Sequence, residues 1–196
     1  ELFDPNWYIL MKMANSTEKW QSGDISAFET IFHQYQGMVF KTAYLMTGNK
    51  EEAEDVLQEV FLAVWKYSHT FNPTKGKLTT WLHRIIVNQC ARKHRKKQPT
   101  FLSLEERSLD LPDMKRQEQP DEVLVTKWEY EKLVNAMNSL DSKHRSVLVL
   151  RYFNDLSYGE IAQVVDIPLG TVKSRINQAL KSLRKQLGTQ QREASI

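Results

Sequence analysis

Two sets of side chains in this sequence have the types and spacing to hold a polyanion. Near the C-terminus, Thr171, Lys173, Ser174, Arg175, Asn177, Gln178 and Lys181 fall outside the apolar series Val172, Ile176, Leu180 and Leu183, which recurs at helical spacing. Hydroxyls, amides and cations on one helix face bond phosphates and reach base edges in a major groove. No carboxylate occurs from position 168 to position 192, so nothing on that face repels a phosphate backbone. Earlier in the chain, Arg84, Asn88, Arg92 and Arg95 share one stripe of a helix, with Lys93 beside it. Cations there suit a strand backbone, Asn88 suits the edge of an extruded base, and Trp81 suits a wall for it to stack on. Each set also has a plainer reading as a solvated basic face, with Trp81 in the core and Asn88 bonding backbone, and residue types alone leave both open.

Catalytic chemistry has no comparable signal. The sequence holds no glycine-rich nucleotide loop and no Ser/His/Asp constellation, and His33, His69, His83, His94 and His144 lack ligand spacing. No catalytic residue, metal site or cofactor is expected, and the protein reads as a binding protein rather than an enzyme. Cys90 is the only cysteine, which excludes an internal disulfide framework and fits a reducing cytoplasm. No apolar run approaches the roughly 18 to 20 residues that span a bilayer, so a soluble cytoplasmic protein without membrane insertion is expected. Net charge is only +3, so the basic residues matter through their placement.

The elements that would position these residues are all helical. Phe28, Ile31, Phe32, Tyr35, Val39, Thr42 and Met46 recur every three or four positions and stop at Gly48-Asn49. A second helix turns Ala53, Val56, Leu57, Val60, Phe61 and Val64 inward and leaves Glu54, Asp55, Gln58 and Glu59 on the opposite face. Asn72-Pro73-Thr74-Lys75-Gly76 is a loop, after which Leu78, Trp81, Leu82, Ile85 and Ile86 open a third helix that ends in a basic run. Residues 98–121 carry three prolines and an acidic excess without periodicity, which reads as an interdomain linker. Beyond it, Val125, Trp128, Leu133, Met137 and Leu140 share a face, and Asp141 is placed to cap the helix carrying Val147, Leu148, Leu150 and Tyr152.

Ser157-Tyr158-Gly159-Glu160 has capping-box spacing and predicts a helix start, with Ile161, Ala162 and Val165 as its apolar face. Asp166-Ile167-Pro168 interrupts it, and Pro168 suits the first turn of the helix that follows. The result is a helix-turn-helix. The reading is thus an all-α chain of two small helical domains, over 20–97 and 122–187, joined by the linker and flanked by an N-terminal extension, 1–19, and a tail, 188–196.

Four segments together resemble a known family: Asp55 to Phe61, Thr80 to Asn88, Leu156 to Ala162 and Pro168 to Arg175. In this order and separation they are similar to extracytoplasmic-function (ECF) sigma factors of the sigma-70 superfamily, over roughly residues 20–187. The resemblance implies a promoter-recognition subunit of bacterial RNA polymerase, with sigma region 2 over 20–97 and region 4 over 122–187. It implies that Asp55, Gln58 and Glu59 dock on the clamp helices of the polymerase largest subunit. Asn88 would line the pocket for a base flipped from the −10 element, with Trp81, Arg84, Arg92, Lys93 and Arg95 around the single strand. The helix carrying Thr171 to Gln178 and Lys181 would read the −35 element as duplex, and the acidic linker would thread the polymerase channels. An anti-sigma factor is implied as a further partner. The alternative reading is a stand-alone helix-turn-helix transcriptional regulator.

Overall fold

The computed structural model describes residues 19–97 and 127–193, and every regular element among them is helical. The expected linker, Val125 and nearly all of the N-terminal extension lie outside the described residues. The first group of helices is α1 (Ile25–Thr47), α2 (Lys50–Lys66), a 3-10 turn (Ser68–Thr70) and α3 (Leu78–Lys97). The second is α4 (Lys127–Asn138), α5 (Ser142–Tyr152), α6 (Tyr158–Val165) and α7 (Leu169–Glu193). The all-α expectation is borne out. α7 runs beyond position 187, into the stretch read from sequence as a tail.

Local chemistry sets the helix ends. The Asp24 carboxylate accepts from the amides of Ser26 and Ala27 to start α1. Gly48, at φ 70°, ends it in the left-handed region that glycine enters without strain. The next residue begins α2, because the Asn49 side chain accepts from the Glu52 amide at 2.8 Å. Glu51 and Glu52 then occupy the first turn and Lys66 the last, both favourable to the helix dipole.

The first core holds Ile31, Tyr35, Val39, Val56, Val60, Val64, Leu82 and Ile86. Trp20, wholly buried, stacks edge-on to Trp81 with ring centres 5.8 Å apart and lies 6.4 Å from Phe71. Gln21 ties the same segment down by donating to the carbonyls of Ser68 and Phe71.

The second core gathers Val134, Met137, Val147, Leu150, Ile161, Val172, Ile176 and Ala179. Asp141 caps α5 through the His144 amide. The capping box of α6 forms in both directions. Two local expectations change. Val164, not Val165, is the buried valine of α6, because an eight-residue helix meets α7 along the Ile161-Val164 side. Pro168 precedes α7 and acts through its carbonyl, which accepts from the amides of Thr171 and Val172, rather than standing inside the first turn.

The two groups pack directly on one another. α1 lies against α4 and α5, and α3 lies against α5 and α6, so their buried residues form one continuous cluster.

Candidate nucleic-acid interface

The third helix sorts its residues as the stripe requires. Leu82 and Ile86 go into the core, while Arg84, Asn88, Arg92 and Arg95 all point to solvent. Trp81 is half-buried and its ring lies 5.7 Å from Phe71, so most of its surface supports the aromatic cluster under the stripe. Lys93 turns toward α2, where it pairs with Asp55 at 2.5 Å.

Asp55, Gln58 and Glu59 are exposed on α2. Glu59 shares a shallow depression with Val56, Gln89, Arg92 and Lys93, so the acidic face and the basic stripe meet along one edge. The surface they form changes sign within one helix diameter. It also has an apolar continuation that the sequence reading missed. Leu62 and Trp65 follow Asp55 and Gln58 on the same stripe of α2 and remain 67% and 40% exposed. Their signal was present in the sequence, since neither fits the inward series of that helix.

On α7, Lys173, Ser174, Asn177, Gln178 and Lys181 are exposed, while Thr171 and Arg175 are half-buried. Val172, Ile176, Ala179 and Leu183 hold the helix down on α5 and α6. Gln178 is already engaged, 3.0 Å from the His144 ring and 3.5 Å from the Ser174 hydroxyl, which steadies two polar side chains on the outward face. Arg175 lines a cleft of about 440 Å³ between the two helical groups, with Cys90, His94 and Arg145 among its neighbours. Burial, helped by the charge of Glu52, pushes the Cys90 thiol up to about 12. That makes it a poor nucleophile at neutral pH.

Polar residues at the seam between the groups were not foreseen. Arg145 donates to the carbonyls of Met46, Asn138 and Leu140. Asn154 donates to the buried hydroxyl of Thr42 at 2.8 Å. His83 is buried nearby, and desolvation holds its imidazole below the usual value against opposing pulls from the Thr79 carbonyl and the Glu160 charge. Among the described residues no group of three His, Cys, Asp or Glu side chains is arranged to hold a metal ion, and no helix is long and apolar enough to cross a membrane.

Two family models match the chain, Sigma-70 region 2 over residues 31–100 and Sigma-70, region 4 over 136–185. The ECF RNA polymerase sigma factor SigW of Bacillus subtilis is 36% identical over 173 residues, which cover 85% of this chain and 92% of that protein. The chain belongs to the ECF sigma factors of the sigma-70 family. As a sigma factor it directs RNA polymerase to promoters. The RNA polymerase sigma-H factor of Pseudomonas aeruginosa is also similar, 31% identical over 185 residues and covering 90% and 94% of the two chains. The fold matches the sigma factor RpoE in complex with the anti-sigma factor NepR from Bartonella quintana. There the TM-score is 0.63 at 20% identity, over 84% of this chain and 98% of that one. CnrH in complex with the cytosolic domain of CnrY matches with a TM-score of 0.65 at 21% identity, over 89% and 96%. At those identities the fold is what is shared.

Proposed function

We propose that this sigma factor works as a two-part, non-catalytic clamp on promoter DNA. Asp55, Gln58 and Glu59 dock on the clamp helices of the polymerase largest subunit, with Leu62 and Trp65 extending the contact. Arg84, Arg92, Lys93 and Arg95 hold the −10 strand, and Asn88 takes the edge of a base turned out of the stack beside Trp81. Thr171, Lys173, Ser174, Arg175, Asn177, Gln178 and Lys181 meet the −35 element as duplex. Strand opening follows from differential binding, since a pocket for an extruded base is filled only in the melted state and offsets an unpairing cost of a few kcal/mol.

The observation that carries this reading is the junction of α2 and α3. An exposed acidic and amidic face and an exposed stripe of cations around one amide share an edge, joined by the Asp55-Lys93 pair. A generic DNA-binding surface has no use for carboxylates beside its cations, whereas a subunit gripping protein and nucleic acid together needs both signs. The protein acts in the cytoplasm, where polymerase and promoters are, and an anti-sigma factor is a further partner. Support for that partner comes from the solved relative by fold that was captured with one.

Transcription in vitro tests the reading. Core polymerase plus this protein, given source-genome DNA, should start transcripts at a set of sites sharing upstream sequence. Absence of specific initiation above the core-alone background would overturn it.

A further inference from the structure

Gln178 does not reach the outward face of α7 as a free side chain. Its carbonyl oxygen lies 3.0 Å from Nε2 of His144, a residue of α5 that stands 34 positions earlier. Its amide nitrogen donates a long bond, 3.5 Å, to the hydroxyl of Ser174, one turn back on α7. The His144 ring is braced from behind, with Nδ1 3.0 Å from the Asp141 carboxylate. Asp141 is itself fixed, because the same oxygen accepts from the His144 amide at 2.8 Å and so caps α5. A carboxylate only accepts, so Nδ1 carries a hydrogen toward it, and that bond sets the plane of the imidazole. The four side chains form a relay from the start of α5 to the third turn of α7.

Held at both ends, the Gln178 amide keeps one N–H and one lone pair of its oxygen unengaged, side by side. Ser174 and Gln178 are both exposed, on the stripe of α7 that continues to Lys181, so this open edge faces away from the core. A donor beside an acceptor matches N7 and N6 of adenine in a major groove, a pairing that glutamine makes with two bonds. A long amide side chain free in solution must give up its rotamers to make that pairing. Here the packing of α5 against α7 has already restricted them, through a half-buried ring. A surface helix that only neutralises phosphate has no use for such a relay, since a backbone contact needs charge rather than a set amide orientation.

We propose that His144 is a positioning residue for base readout: braced by Asp141, it orients the Gln178 amide toward an adenine of the upstream element, so that discrimination at one base pair is set from α5. This role rests on the reading of α7 as the −35 duplex contact, and it assigns one position of that contact its base and its support. Lys173 and Lys181 on the same helix add affinity for any sequence.

Holoenzyme assembled from core polymerase and the full chain provides the test, on a promoter taken from the transcripts that it initiates. Each base pair of the upstream element is changed in turn to the other three, and binding is measured by competition. The wild type should prefer adenine, on one strand and at one position, by about tenfold, toward the low end of what a two-bond contact gives. Gln178→Ala should abolish the preference there and leave the other positions as they were. His144→Phe keeps the bulk of the ring and removes both nitrogens. It should cut the same preference to about threefold or less, with no loss of helicity by circular dichroism. His144→Gln, which returns a donor near the place of Nε2, should restore most of it. Asp141 is left unaltered because its loss would uncap α5. An adenine preference that survives His144→Phe would overturn the proposal, and so would equal loss in the Phe and Gln variants. A loss spread evenly over all sequences, with a shallower salt dependence, would also overturn it by making His144 a phosphate contact. Holoenzyme indifferent to every upstream base pair would overturn the reading of α7 and this role with it, whereas failure of this role alone leaves selection at the upstream element in place.

Discussion

Replacing Ser157 by Ala should loosen the helix-turn-helix in a way that fades in acid. The Ser157 hydroxyl accepts from the Glu160 amide at 3.2 Å and donates to the Glu160 carboxylate at 2.8 Å, and both bonds disappear in Ser157→Ala. The backbone amide of Ser157, which donates to the same carboxylate at 2.9 Å, remains. Losing an N-cap of this kind costs about 1 kcal/mol, which for a chain of this length lowers the melting temperature by about 2–4 °C. The cap matters for α6 because the helix is only eight residues long.

The acid dependence comes from Glu160, whose hydrogen bonds from Ser157 hold its carboxyl below the ordinary value of 4.5, with Lys77 adding to them. A carboxyl lowered on folding contributes stability above its unfolded pKa and loses it as pH falls through the folded one. The gap between wild type and variant should therefore be full at neutral pH and narrow once the pH drops below about 4.5. Thermal melts at a series of pH values measure this. A variant that melts with the wild type at neutral pH would refute the capping argument, and a gap unchanged into acid would refute the share assigned to the Glu160 carboxylate.

Three other substitutions probe the surfaces. Glu59→Lys reverses a charge on the proposed docking face and should weaken core-polymerase binding by at least tenfold in a pull-down titration while leaving the melting temperature within about 1 °C, as surface changes usually do. Asn88→Ala should slow strand opening, followed by permanganate reactivity of the −10 strand, far more than recruitment, followed by gel shift of the closed complex; equal loss at both steps would place Asn88 outside the base pocket. Arg175→Ala should cost about 1–3 kcal/mol at one upstream base pair if the guanidinium reads a base, seen as relaxed discrimination there, and a smaller, sequence-independent loss if it meets phosphate only.

Helix positions were legible because their signals are local. Gly48-Asn49 at the end of α1, Asp141 and the Ser157-Glu160 box each act on neighbours within four residues, whereas the caps from Asp24 and Asn49 came from the structure. Which faces of α1 to α3 are buried was legible too, since 3.6-residue periodicity carries that information directly. Periodicity says nothing of what a face packs against. The bond from Asn154 to Thr42 joins residues 112 positions apart, and that from Arg145 to Met46 spans 99, so no window of sequence contains them. Thr42 was the one visible hint, a hydroxyl standing in an otherwise apolar series. In α6 the helix is too short for spacing to separate Val164 from Val165. The candidate site was legible as surfaces, the cations of α3 and α7 and the acids of α2. The pairing of Asp55 with Lys93, which joins two of those surfaces, depends on how α2 and α3 cross and could not be read from either segment alone.

The proposed two-part clamp requires that neither DNA-binding surface suffice without polymerase. Footprinting on one promoter, taken from the transcripts that core enzyme plus this protein initiates, tests it most directly. Both the −35 and −10 regions should be protected with core enzyme present, and neither by the free protein at the same concentration. Full protection of the upstream element by the free protein alone would contradict it.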